Sequence, residues 1–85
     1  MRITNKSWEQ ILKVMKRVGW DYSHNIVATG FARLYFFHPN GHTLPIRFTI
    51  EGVTIEEYLS YSVWQKYKDL IFDLENVLEW ERDDG

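Results

Sequence analysis

The chain has 85 residues, of which 45% are hydrophobic and 16% aromatic, so we expect one small domain spanning residues 1–85. It contains no cysteine, which excludes a disulfide framework and a thiolate zinc site. No apolar run approaches the ~18 residues of a membrane span, and the N-terminus lacks a signal-peptide core. We therefore expect a soluble, cytoplasmic protein without membrane contacts.

The formal net charge of −2 conceals a division of charge along the chain. Residues 1–50 hold seven basic and two acidic side chains, whereas residues 51–85 hold three basic and ten acidic ones. We interpret this division as complementarity of the two halves, either within the fold or across a homodimer. The alternative is that one half contacts a partner of opposite charge.

The first predicted element is a helix over residues 7–18. Ser7 and Gln10 match a capping box, in which the hydroxyl and the amide each satisfy a free backbone donor. Its apolar stripe consists of Trp8, Ile11, Leu12, Met15 and Val18. Gly19 should end the helix, with Trp20 folding back on the last turn.

Residues 22–50 predict three short strands of an antiparallel sheet, with a tight connection at residues 28–31. The segment His38-Pro39-Asn40-Gly41 suits a type I turn, because proline fixes φ and Gly41 can adopt the left-handed conformation of a G1 bulge. Such a turn pairs residue 38 with residue 42. The resulting register gives one uniformly apolar face: Ala32, Leu34, Phe36, Leu44, Ile46 and Phe48.

The opposite face of the predicted sheet mixes aromatic and basic side chains. Its candidate binding residues are Phe31, Arg33, Tyr35, Phe37 and Arg47. Because this register places Arg33 directly opposite Arg47, we expect an acidic neighbour for the two. Aromatic residues interleaved with Arg can stack bases and contact phosphates. Three interpretations remain open, in order of preference: a helix covers this face, it binds a protein, or it binds nucleic acid.

The remaining chain predicts two helices, a short one over about 55–60 and a longer one over about 63–81. Each follows a capping-box pattern, Thr54 with Glu57 and Ser62 with Gln65. The predicted fold class is therefore α+β, in the order α-β-β-β-α-α, with a three-stranded antiparallel sheet packed against helices.

Acidic residues crowd the long helix and the end of the chain. They are Asp69, Asp73, Glu79, Glu81, Asp83 and Asp84. Carboxylates at a helix C-terminus oppose the macrodipole, so we expect the last turn to fray unless a cationic partner holds it. We interpret the run as a solvated face or as a docking surface for a basic partner, including one that normally holds nucleic acid.

The histidines offer little support for chemistry. His38 and His42 should lie together at the end of the hairpin, whereas His24 points to the opposite face. Two imidazoles are fewer than the three or four ligands of a usual metal site, so we predict neither a metal nor a cofactor. The chain has no serine elbow, Gly-rich phosphate loop, cysteine nucleophile or HExxH motif, and we assign no catalytic residue.

One pattern resembles a known family. The run ILKVMKRVGW at residues 11–20, a later glycine, HPNG at 38–41 and LPI at 44–46 are similar to the HicA toxins over residues 9–47. That resemblance implies an α-β-β-β-α fold like that of double-stranded-RNA-binding domains, and histidine-dependent cleavage of messenger RNA.

The catalytic histidine of that family follows its glycine in a Gly-Ser-His arrangement. Here the segment reads Gly30-Phe31-Ala32-Arg33, so no catalytic residue is transferred. We therefore predict a non-catalytic protein-binding module that uses the acidic C-terminal helix or the aromatic-basic sheet face. Many phage-encoded inhibitors of host or defence proteins belong to this class of small chain. The alternative is an RNA-binding protein or ribonuclease related to HicA that uses the basic N-terminal half.

Overall fold

A computed structural model of the chain describes residues 2–57 and 60–81. In this part of the chain the elements are β1 (Arg2–Ile3), α1 (Asn5–Arg17), β2 (Asp21–Ala28), β3 (Phe31–Phe37), β4 (Thr43–Thr49), β5 (Gly52–Ile55), α2 (Tyr61–Val77) and β6 (Trp80–Glu81). The main sheet is antiparallel in the order β2-β3-β4-β5, and β1 pairs with β6 in a separate ribbon. The α+β class is confirmed, although the main sheet has four strands where three were expected.

The predicted register of the central hairpin is confirmed. Leu34 pairs with Ile46, as the alternation required, and Arg33 pairs with Arg47. At the turn, the His38 amide donates to the His42 carbonyl at 2.9 Å and the Gly41 amide donates to the His38 carbonyl at 2.8 Å. Gly41 has φ 92°, the left-handed conformation expected for a G1 bulge.

The core lies between one face of the main sheet and the two helices. From the helices it receives Ile11, Val14, Met15, Leu70 and Leu74. From the sheet it receives Ala32, Leu34, Phe36, Leu44, Ile46, Phe48, Val53 and Ile55, together with Trp20 from the loop before β2. We call this face of the sheet the inner face and the opposite one the outer face.

Helix α1 ends as the sequence predicts. The Trp20 amide donates to the Met15 carbonyl at 3.0 Å and the Gly19 amide donates to the Lys16 carbonyl at 3.0 Å. With Gly19 at φ 89°, these two bonds form a Schellman motif. The motif directs the Trp20 side chain into the core, where it is 7% exposed.

The start of α1 corrects the sequence interpretation. Thr4, and not Ser7, is the N-cap residue: its side chain accepts a hydrogen bond from the Ser7 amide at 3.1 Å. The Ser7 side chain instead lies inside the protein, where its hydroxyl donates to the Val77 carbonyl at 2.7 Å and accepts from the Glu79 amide at 3.0 Å. A buried serine thus joins the start of α1 to the end of α2.

The predicted short helix at 55–60 is wrong at its described residues, because Thr54 and Ile55 belong to β5 and residues 56, 57 and 60 are not helical. The capping-box pattern is local, whereas burying Val53 and Ile55 on the inner face requires a strand. Residues 58 and 59 lie outside the described residues.

The long helix also differs from its prediction of 63–81. Helix α2 begins at Tyr61 and ends at Val77, and the following Trp80 and Glu81 form β6. A backbone pairing with Arg2 and Ile3 replaces a last helical turn whose carboxylates would oppose the macrodipole.

We expect Ser7→Ala to destabilise the fold, because the Val77 carbonyl and the Glu79 amide would both lose their buried partner. The expected loss is about 1–3 kcal/mol in the free energy of unfolding, measured by urea denaturation. The matched control is Ser23→Ala on the exposed strand β2, for which we expect a change within ~0.5 kcal/mol. Equal losses in the two variants would contradict this role for Ser7.

Candidate functional site

The two opposed arginines on the outer face share one acidic partner. Arg33 Nε pairs with Glu56 Oε2, and the Arg33 and Arg47 guanidiniums reach Glu56 Oε1 at 3.3 and 3.4 Å. Glu56 follows β5, where its amide donates to the Pro45 carbonyl at 2.9 Å and fixes it beside β4. The expectation of an acidic neighbour is confirmed.

The aromatic side chains of the outer face are also partnered within the sheet. The guanidinium carbons of Arg47 and Arg33 lie 4.6 and 5.8 Å from the centre of the Phe31 ring. His24 stacks on Tyr35 with ring centres 4.4 Å apart and an interplanar angle of 7°.

Hydrogen bonds to Glu56 and then to Tyr35 raise the pKa of Arg33, so its charge is retained at any working pH.

Neither described helix covers the outer face, so its binding of a protein or of nucleic acid stays a prediction. The helical core residues contact the inner face, and on the outer face the Arg33 and Arg47 side chains keep exposed fractions of 29% and 42%. Phe37, at the end of β3, is 42% exposed. Yet the Glu56 carboxylate neutralises one of the two positive charges that phosphate groups would need. The face is open, but its basic groups are engaged.

The two histidines of the turn are brought together, as predicted, and both contact Trp20. The His38 and His42 rings contact the Trp20 ring edge-on, with centres 5.3 and 5.8 Å away. His42 Nε2 also lies 3.5 Å from Glu57 Oε2. These contacts fasten the hairpin turn to the end of α1, next to a cavity of about 540 Å³ that Lys66 also lines.

Within residues 2–57 and 60–81, no three side chains of His, Asp or Glu lie close enough together to hold a metal ion. In the same part of the chain, neither helix is long and apolar enough to cross a membrane.

The predicted acidic residues do not share one helix. Asp69 and Asp73 are exposed on α2, whereas Glu79 follows the helix. Glu81 belongs to β6, where Oε2 accepts a 2.5 Å hydrogen bond from Arg2 Nε. Asp83 and Asp84 lie outside the described residues. Only Asp69 and Asp73 therefore remain candidates on a helical surface.

Sequence reasoning missed a group of aromatic side chains on α2. Tyr61, Trp64 and Phe72 are 80%, 45% and 64% exposed. Their spacing places them on one side of the helix, which they share with Lys68 and Glu75 and which faces away from the buried Leu70 and Leu74. The i, i+3, i+11 spacing was the available signal, but the longer core stripe concealed it.

Of these three residues, Trp64 and Phe72 border a groove between α2 and β5, with a volume of about 820 Å³. We define this α2–β5 groove by Val53 and Ile55 on the strand and Trp64, Ile71 and Phe72 on the helix. Charged side chains also line it, namely Glu57, Lys68, Asp69 and Glu75. Three carboxylates against one ammonium group make its surroundings acidic.

Glu75 connects the two walls of the groove. Its Oε1 accepts a hydrogen bond from the Val53 amide at 3.2 Å. A Cβ added at Gly52 would lie 3.0 Å from the same oxygen, and Gly52 has φ 144°, so the carboxylate approaches a backbone that favours glycine. The Glu75 carboxylate thus accepts a hydrogen bond from a backbone N–H on the outward edge of β5.

Comparison of the chain with family models, with curated proteins and with solved structures gives no match. The resemblance to the HicA toxins accordingly stays a prediction.

We expect Glu56→Gln to lower the thermal midpoint, since Arg33 and Arg47 would then face each other without a counter-charge. The measurement is unfolding followed by circular dichroism at low and high salt. Salt should reduce the difference in thermal midpoint between the variant and the wild type, because it screens both the ion pairs with Glu56 and the repulsion between the two arginines.

Adding Arg47→Gln to Glu56→Gln should recover part of the loss, because it removes one of the two like charges. Glu51→Gln, on the exposed turn before β5, is the control and should leave the midpoint unchanged. An unchanged thermal midpoint in Glu56→Gln would show that the contacts among Arg33, Arg47 and Glu56 add nothing to stability.

Proposed function

We propose that the chain is a protein-binding module whose α2–β5 groove receives a partner segment with apolar and basic side chains. The observation that carries the proposal is the exposure of Trp64 and Phe72 beside an apolar groove with acidic surroundings. Large aromatic side chains of this kind are common energetic anchors of protein interfaces. Because both side chains are exposed to solvent, they present apolar surface that a partner would bury.

The groove has the size and lining of a peptide site. Its volume of about 820 Å³ falls in the range of concave ligand sites, roughly 300–1,000 Å³. A strand edge on one side and a helix on the other form a trough in which a segment can lie lengthwise. Apolar side chains of the partner would contact Ile55, Ile71 and Phe72.

The charges favour a basic partner. Asp69 and Glu75 on α2 and Glu57 after β5 outnumber Lys68 around the groove, and Asp73 continues the acidic surface along the helix. Lys or Arg side chains flanking the apolar positions of a partner would find carboxylates at the rim. Inhibition of a host or defence protein by a phage-encoded chain, through such docking, remains our specific hypothesis for the biological role.

The RNA-binding or ribonuclease alternative has weaker support. Arg33 and Arg47 share Glu56, and Lys16 pairs with Asp21 at 2.6 Å, so several cations of the basic half already have partners. A phosphate backbone would have to compete with these carboxylates.

We expect random-peptide display on the immobilised chain to select peptides in which Lys or Arg flanks aromatic or aliphatic residues. Binding of a selected peptide should weaken at least about tenfold in Phe72→Ala, measured by fluorescence anisotropy, because the variant removes an exposed anchor. Phe37→Ala, which removes an exposed phenylalanine from the outer face, is the matched control and should bind normally. Peptides that bind Phe72→Ala equally well would contradict the groove.

Charge reversal tests the acidic surroundings separately. We expect the double variant Asp69→Lys with Asp73→Lys to bind the same peptide more weakly than the wild type. The difference in affinity should diminish at high salt because the attraction is electrostatic. Glu51→Lys, an exposed acidic position on another element, should bind as the wild type does.

Binding of a labelled single-stranded RNA that is lost in Arg33→Ala and Arg47→Ala would overturn the protein-binding proposal. It would favour the RNA alternative, particularly if the affinity falls steeply with salt.

A further inference from the structure

Strand β2 is an edge strand of the main sheet. Within the described residues it pairs only with β3, and every residue from Tyr22 to Ala28 is exposed. Ile26, whose pair is Arg33, lies on the outer face, and Val27, whose pair is Ala32, lies on the inner face. Their exposed fractions are 47% and 59%, so apolar surface accompanies the free edge on both sides of the sheet.

The edge lacks most of the usual protection against pairing. Edge strands are commonly guarded by Lys, by Pro, by a short length or by a bulge. The sequence DYSHNIVA contains neither Lys, Arg nor Pro, and it is eight residues long. Its bulge lies between Tyr22 and His24, so residues 24–28 run in regular register.

The other edge of the sheet is guarded. Strand β5 is four residues long, and the Glu75 carboxylate occupies the Val53 amide there. A strand arriving at β5 must first displace that carboxylate. Strand addition at β2 meets no such competitor among the described residues.

We infer that β2 pairs antiparallel with β2 of a second copy of the chain, about a two-fold axis. An antiparallel edge is complementary to itself, because a two-fold axis sets each strand's donors against the other's acceptors. The strand's single charged residue, Asp21, is paired with Lys16 at 2.6 Å, so the contact brings no unpaired like charges together. Apolar pairs form on both faces through Ile26 and Val27.

The contrast between the two edges sets the size of the assembly. Because β5 is guarded, the paired sheets end at both outer edges, and association stops at a dimer with eight strands in one continuous sheet. A single pair of edge strands buries less than the roughly 1,600 Å² of a standard interface, so the dimer is concentration-dependent. This interface is separate from the α2–β5 groove and leaves it open.

Sedimentation velocity over a concentration series tests the inference. We expect the mean mass of the wild type to rise from one chain towards two. The double variant Ile26→Lys with Val27→Lys should weaken association about tenfold or more, because each substitution occurs on both sides of the axis. Ile50→Lys, an exposed isoleucine in the turn between β4 and β5, is the matched control and should associate as the wild type does.

Hydrogen exchange on the wild type supplies a readout that does not depend on the variants. Alternate amides of β2 should become more protected as the concentration rises, whereas the amides of β5 should not change. A single-chain mass at every concentration would overturn the inference. So would a dimer that survives the double lysine variant but is lost in Phe72→Ala, which would assign the contact to the α2–β5 groove.

Discussion

The register of the β3–β4 hairpin is the constraint on which the rest of the structure depends. A shift of one strand by one residue would place Leu34 and Ile46 on opposite faces and would bring either Arg33 or Arg47 to the core face. The hydrogen-bonded turn between His38 and His42 prevents this shift, and their rings also hold Trp20 against the end of α1. One short turn thereby fixes both the sheet and the position of the first helix.

The same register creates an electrostatic problem that β5 solves. Two arginines placed opposite each other need a carboxylate, and Glu56 supplies it only because β5 extends the sheet beside β4. Glu75 performs a comparable function from α2, where it meets the backbone of β5. Acidic residues from the second half of the chain thus hold the edge of a sheet built largely from the first half. The division of charge along the sequence is partly resolved inside the fold.

The sequence predicted what depends on periodicity and turn chemistry, and failed where tertiary contacts decide. The helix end follows from the positive φ of Gly19. The hairpin register follows from the alternation of apolar residues over two seven-residue strands. Strands β5 and β6 have four and two residues, too few for a pattern to outweigh a nearby capping box. The α2–β5 groove could not be predicted, because its two walls meet only after β5 has joined the sheet.

Glu75 lines the proposed binding groove and also covers the edge of β5. Its carboxylate accepts the hydrogen bond from the Val53 amide that a neighbouring strand would otherwise accept. The β5 edge is therefore covered only while α2 keeps its position. A partner that moves α2 or draws Glu75 away would uncover a backbone donor next to apolar side chains, the arrangement from which intermolecular β-aggregation starts. If the groove binds a partner as we propose, tighter binding there would have to leave this edge closed in the unbound chain.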